Sequence, residues 1–280
     1  MMIVNQDEIK YQNKVVFERL EIAKNFKRAP KVFFEDEACF LFLSKGDFNF
    51  RTPDKLLSFS QGDGMLAKCG NYFIEGNPYG INPPQTVTVV GAFFYPEIVK
   101  KFFENDLSLE IFIKPITVSK VHIDILLKHF IENLNYLLDN PSVVDDNIII
   151  NKQKELLILL SKSENSTSIS EFINSLFSPF EYNFREIIEK NIYSDLTIQE
   201  LAYLCNMSEA TFKRKFDSIY NQSPAKYIQF KKLSRAKQLL KTHSNTIANV
   251  AYDCGFSTPS SFNKSFKKNF GLTPTEYRMS

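Results

Sequence analysis

Between residues 31 and 95 apolar and polar side chains alternate in short runs. Phe48-Asn49-Phe50-Arg51 and Leu57-Ser58-Phe59-Ser60 put every second side chain on one face, the period of a half-buried strand. Turn signals separate them: Lys45-Gly46-Asp47, Thr52-Pro53-Asp54 and Gln61-Gly62-Asp63-Gly64. Thr86 to Tyr95 adds a β-branched and aromatic run after the loop Glu75-Gly76-Asn77-Pro78-Tyr79-Gly80. Strands this short and close together predict an antiparallel sandwich or small barrel. From Pro96 the period lengthens. Ile123, Leu126, Leu127, Phe130, Leu134 and Leu137 recur at helical spacing, and a second apolar helix runs through Leu156, Leu157 and Leu160. The polar stretch 161–168 is expected to begin a connection, and everything beyond about Glu181 is expected to be helical. The predicted fold class is therefore α+β, with a β-barrel and helices over 1–178 and an all-α domain over 179–280.

The helical end contains a repeat. Thr197-Ile198-Gln199-Glu200-Leu201-Ala202-Tyr203-Leu204-Cys205 returns as Thr246-Ile247-Ala248-Asn249-Val250-Ala251-Tyr252-Asp253-Cys254, and Phe212, Phe216, Pro224 and Tyr227 return as Phe262, Phe266, Pro274 and Tyr277. Each copy has the grammar of a helix-turn-helix. Thr197 and Thr246 are suited to cap a first helix, and Ser208 and Thr258 a second. Asn206-Met207 and Gly255-Phe256 make the turns, Gly255 with free access to positive φ. Pro259 sits where a missing N–H costs nothing. The paired phenylalanines face inward, leaving Glu209, Lys213 and Arg214 outward in one copy and Ser260, Asn263 and Lys264 in the other. Ser223-Pro224 starts a spacer helix reaching about Lys241, roughly 27 Å long at ~1.5 Å per residue. That length could bring the two second helices to successive major-groove segments of one duplex.

Charge sharpens this picture. The whole chain of 280 residues carries only +2, yet residues 206–280 hold 13 Lys and Arg against 4 Asp and Glu, a local balance of +9. A polyanion partner for this end alone is implied. Arg214 is the strongest candidate base reader, since its planar fork can engage guanine O6 and N7 together. Lys231, Lys232, Lys267 and Lys268 are candidate phosphate neighbours.

These residues resemble the AraC/XylS family of bacterial transcription regulators. The motif Ala251-Tyr252-Asp253-Cys254-Gly255-Phe256-Ser257 carries the resemblance, with Phe262, Phe266-Lys267-Lys268, Phe270-Gly271, Thr273-Pro274 and Tyr277-Arg278. It covers roughly the last 100 residues. It implies a tandem helix-turn-helix domain that binds asymmetric double-stranded DNA sites and usually activates transcription, often by contacting RNA polymerase. The base contacts it implies fall on Ala210, Lys213 and Arg214, then on Pro259, Ser260, Asn263 and Lys264. Ala210 and Pro259 lack side-chain donors, which leaves them contact with a thymine methyl. The N-terminal part, from Phe40 through Lys45-Gly46-Asp47 and Gly62-Asp63 to Lys68-Cys69-Gly70-Asn71-Tyr72, is similar to the type III secretion activators. That similarity implies a cupin-like barrel bearing either a small effector or, as in that subgroup, a docked regulatory protein, together with helices that form a homodimer.

Other classes are disfavoured. Four scattered cysteines (Cys39, Cys69, Cys205, Cys254) make no CxxC pair and suggest free thiols rather than a disulfide framework or zinc site. His122 and His129 share a helical face without a third ligand, and no histidine precedes them, so no metal or other cofactor is expected. GxSxG, P-loop and GxGxxG motifs are missing, which argues against an enzyme. No apolar run approaches the ~18 residues of a membrane span. The start, Met1-Met2-Ile3-Val4-Asn5-Gln6-Asp7-Glu8, has no signal-peptide pattern, so a cytoplasmic protein without a membrane partner is expected. The remaining alternative is an adaptor whose helical repeats bind protein instead of DNA.

Overall fold

A computed structural model describes residues 2–23, 26–32, 37–68, 70–76, 86–103, 118–163, 169–177, 183–241 and 245–279. The chain divides into two compact units, one of residues 1–52 and 56–181, the other of 53–55 and 182–280.

The first unit holds two antiparallel sheets. Six strands, β1 (Met2–Tyr11), β2 (Lys14–Ala23), β4 (Ala38–Lys45), β7 (Gly64–Lys68), β9 (Thr86–Phe94) and β10 (Val118–Val121), lie in the order β1-β2-β9-β4-β7-β10. Four more, β3 (Arg28–Val32), β5 (Asp47–Arg51), β6 (Leu56–Ser60) and β8 (Asn71–Glu75), lie in the order β3-β8-β5-β6. Strands begin at residue 2, well before the alternation that starts at 31. The β1–β2 hairpin turns on Gln12 (φ 50°) and Asn13 (φ 64°), both left-handed as a two-residue hairpin turn requires. It escaped the period-2 test because register shifts between Ile3 and Asn5 and between Ile9 and Lys10 break the alternation, and because β1 buries little beyond Ile9.

The six-stranded sheet is covered on both faces, which explains why Ala38-Cys39-Phe40-Leu41 is continuously apolar instead of alternating. Cys39, Leu41, Leu43, Met65, Val87 and Val89 pack with Phe48, Phe50, Phe59 and Tyr72 of the smaller sheet. Ala38, Phe40, Leu66, Val90 and Phe94 face the other way, into a core completed by helices. Those helices are α1 (Pro96–Phe102), α2 (Ile125–Asp139), α3 (Asp146–Ser163) and α4 (Ile169–Phe177). Gln153 of α3 reaches into this core, its Nε2 donating to the carbonyls of Val16 (3.2 Å) and Phe93 (3.1 Å). Val16 lies at the β2 irregularity, where the ladder leaves a carbonyl to be satisfied.

The expected connection at 161–168 starts too early. Ser161 to Ser163 still belong to α3, and Phe172, Ile173 and Leu176 of α4 are buried in the same core. Residues 164–168 lie outside the described residues, as do Cys69 and the loop residues 77–80.

The second unit is helical: α5 (Phe184–Asn191), α6 (Ile198–Leu204), α7 (Glu209–Tyr220), α8 (Pro224–Leu240), α9 (Ile247–Asp253), α10 (Pro259–Phe270) and α11 (Pro274–Met279). Its apolar residues form two aromatic-rich cores. Phe184, Phe212, Phe216, Tyr220 and Tyr227 make one, with centroids 4.4–6.2 Å apart between touching rings. Phe262 and Phe266 join Leu233, Ala236, Leu240, Val250 and Ala251 in the other.

Candidate nucleic-acid interface

Each reader is built by the same local chemistry. Thr197 Oγ1 accepts from the Glu200 amide (3.2 Å) while Glu200 Oε2 accepts from the Thr197 amide (2.7 Å), a reciprocal cap on α6. Thr246 Oγ1 caps α9 by accepting from the Asn249 amide at 3.1 Å, but Asn249 stands where Glu200 returns the bond in the first copy. Thr246→Ala should therefore destabilise the second unit by ~1 kcal/mol, read from its denaturation midpoint. Asn206 (φ 53°) and Gly255 (φ 75°) make equivalent left-handed turns. One residue later, the Met207 and Phe256 amides donate to Ala202 and Ala251 carbonyls, both at 3.0 Å. Ser208 and Thr258 then cap α7 and α10, and Pro259 opens α10.

That construction fixes which face looks outward. Phe212, Phe216, Phe262 and Phe266 are fully buried. Ala210, Lys213 and Arg214 are exposed on α7, and Ser260, Asn263 and Lys264 are exposed on α10 with Pro259 half-buried beside them. The structure thus brings the seven residues together as two outward faces of one compact unit. The faces differ electrostatically. On α7, Lys213 Nζ pairs with Glu209 Oε1 at 2.6 Å, and Asp217 shares a shallow cleft with Lys213, Arg214 and Pro224. On α10, Lys264, Lys267 and Lys268 have no acidic neighbour in the helix sequence Pro-Ser-Ser-Phe-Asn-Lys-Ser-Phe-Lys-Lys-Asn-Phe. Of the two outward-facing helices, α10 thus carries a net charge of +3 against +1 on α7, while the spacer α8 carries +5 from Lys226, Lys231, Lys232, Arg235 and Lys237.

The four phosphate candidates divide as well. Lys267 and Lys268 are exposed in the last turn of α10, where a cation also complements the helix dipole. Lys231 is half-buried, its ammonium 5.4 Å from the centre of the Tyr227 ring. Lys232 departs from expectation. Its Nζ donates to the Ser194 carbonyl (2.6 Å) and the Gly255 carbonyl (2.7 Å), so it is turned into the unit instead of toward a phosphate. The physical reason is that those two carbonyls converge where α8 passes beneath them and need a donor. Sequence spacing did not reveal this, because the carbonyls are 38 and 23 residues away.

Cys205 and Cys254 end α6 and α9 as buried residues, and burial pushes their thiols up to about 12 and about 11. A thiol held protonated is a poor nucleophile, and both act as small apolar fillers. Among the described residues no group of three metal-ligating side chains forms, and no helix is long and apolar enough to cross a membrane.

Between the two sheets of the first unit lies an apolar cavity whose lining includes Leu20, Ile22, Phe48, Phe50 and Val87 together with Glu18 and Lys31. Burial raises the Glu18 carboxyl above the usual carboxylate range, partly offset by the hydrogen bond from Gln6 Nε2 at 2.9 Å.

Comparison with known proteins agrees with this geometry. A family model described as a helix-turn-helix domain matches residues 201–280, and one described as the ExsA N-terminal regulatory domain matches residues 38–172. The chain thus carries an ExsA-type N-terminal regulatory domain followed in sequence by an AraC-type helix-turn-helix domain. Among curated relatives, the thermoregulatory protein LcrF of Yersinia pestis is 30% identical over 169 residues, 59% of this chain and 60% of that protein. The HTH-type transcriptional regulator ExsA of Pseudomonas aeruginosa is 28% identical over 127 residues, 45% of this chain and 46% of that protein. The chain thus spans about 60% of the length of the first of these curated relatives. Among solved structures, unsaturated fatty acid bound ToxT from Vibrio cholerae strain SCE256 matches with 14% identity and a TM-score of 0.40, over 96% of this chain and 97% of that one.

Proposed function

We propose that this chain is a sequence-specific DNA-binding transcription activator of the AraC/XylS family whose N-terminal unit receives the regulatory signal. The observation that carries the reading is the pair of outward faces on α7 and α10, built by matched caps and turns on one compact helical unit. In this reading Lys213 and Arg214 supply discrimination from the first reader. Asn263 and Ser260 read from the second, where Lys264, Lys267 and Lys268 add sequence-independent affinity. Ala210 and Pro259 touch bases through apolar contact. RNA polymerase is the partner downstream, the site of action is the cytoplasm, and catalysis has no part in it.

Titration with duplexes selected by the full chain from a random pool tests the reading. The log–log salt dependence should be steep, about −0.9 for each phosphate neutralised, and a flat dependence would count against direct binding. Arg214→Ala should cost ~1–3 kcal/mol on the selected site and relax choice at one base pair. Equal weakening on every sequence would make Arg214 a phosphate contact instead.

For the first unit, the likeness of residues 38–172 to the ExsA N-terminal regulatory domain supports a regulatory protein docked on this unit over a small effector inside it. A metabolite panel should then leave the melting temperature of the full chain unchanged. A ligand-dependent rise of several degrees would favour the effector. Exposed Ile125, Leu126 and Tyr136 on α2 support self-association through these helices, which light scattering on the full chain checks.

A further inference from the structure

We infer that Lys232 is a positioning residue that fixes the spacing at which the two reading helices meet DNA, an inference that rests on the DNA-reading function proposed above. Ser194, one of its two carbonyl partners, lies in the loop between α5 and α6, at the entrance to the first helix-turn-helix. Gly255, the other, is the pivot of the second. A single ammonium on the spacer helix α8 therefore joins the backbone of one reader to the backbone of the other. Both bonds are short and charge-assisted, the stronger kind.

The surrounding packing makes this seam tight. A Cβ on Gly255 would lie 2.2 Å from the Tyr193 carbonyl oxygen and 2.7 Å from that of Ser194, so backbone meets backbone with no side chain between. Three residues beyond Lys232 on α8, the Arg235 guanidinium lies 4.2 Å from the centre of the Tyr193 ring, holding the same loop a second time. Burial lowers the Lys232 pKa and Asp195 opposes that fall. Remove the ammonium, and the Ser194 and Gly255 carbonyls face each other with partial negative charges and no shared donor. Repulsion and lost satisfaction then act together to open the seam. The angle between the readers, and with it the base-pair distance between their half-sites, is no longer set by one contact geometry.

The test compares the full chain with Lys232→Met, which keeps the length of the stem and removes the charge. Duplexes are the site selected by the unmodified chain and the same site with one base pair inserted between its halves. The unmodified chain should prefer the selected spacing by about tenfold or more, and Lys232→Met should narrow that preference to about threefold or less. Its salt slope should stay unchanged. A slope shallower by about 0.9 with the spacing preference intact would make Lys232 a phosphate contact and overturn the inference. Hydrogen exchange without DNA gives an independent reading: segments 191–196 and 253–258 should both exchange faster in Lys232→Met, and unchanged exchange in both would overturn the seam even if the chain selects no DNA at all. Should Lys232→Met fail to fold, Lys232→Gln, which keeps a neutral donor, is judged by the same two readouts.

Discussion

Phe266→Ala is expected to destabilise the second helix-turn-helix by roughly 3–5 kcal/mol, the range for deleting a buried aromatic ring without full collapse around it. Phe266 is completely buried, with ring centroids 5.5 Å from Phe262, 4.7 Å from Phe270 and 5.5 Å from Tyr277. Lys237 covers the outer two rings, 4.8 Å from Phe270 and 5.5 Å from Tyr277. Deleting Phe266 removes the ring that the other three touch, so α10, α11 and the end of α8 lose their shared contact together. Domains are commonly stable by only ~5–15 kcal/mol, so a loss of this size should split denaturation of the full chain into an early transition for the helical unit and a later one for the β unit. A single unshifted transition, or a loss below about 1 kcal/mol, would mean that the phenylalanine ladder does not support the reader. Phe216 occupies the corresponding place in the first copy, and its substitution should weaken the first reader by a similar amount.

The helical half was largely legible because its rules are local. Caps at Thr197, Ser208, Thr246 and Thr258 and the inward phenylalanines depend on neighbours within a turn or two, and the repeat states each rule twice. Arg214 and Lys213 could be placed outward for the same reason. What stayed hidden depends on distant chain. Lys232 reads as one more surface lysine until Ser194 and Gly255 are brought to it. The β1–β2 hairpin is hard to see because β1 buries little beyond Ile9 and makes polar cross-strand contacts, such as Arg19 Nη2 with Asp7 Oδ2 at 2.7 Å, and because the irregularity at Val16 interrupts the apolar pattern of β2. β4 showed its burial clearly in Ala38-Cys39-Phe40-Leu41, yet only the packing of helices on one sheet face and of a second sheet on the other explains why both of its sides are apolar.

Gly255→Ala is expected to cost about 2–6 kcal/mol, combining a strained left-handed backbone with a steric clash that nothing nearby can relieve. Gly271→Ala supplies the control. Gly271 has nearly the same φ, 78° against 75°, but a Cβ there meets no atom within 4 Å. Its substitution should cost only the left-handed backbone term, roughly 1–2 kcal/mol. The difference between the two is the part owed to the close approach of Tyr193 and Ser194. The same approach explains why the two readers solve one turn with different residues. Asn206 adopts φ 53° in the first copy with a full side chain, whereas the second copy has room for glycine alone at the equivalent point. Urea denaturation of both variants measures the difference. Equal costs would show that the Gly255 backbone does not meet the Tyr193 loop. An unequal pair in which Gly255→Ala also narrows the preference for half-site spacing, as expected of Lys232→Met, would tie the turn and the ammonium to one seam.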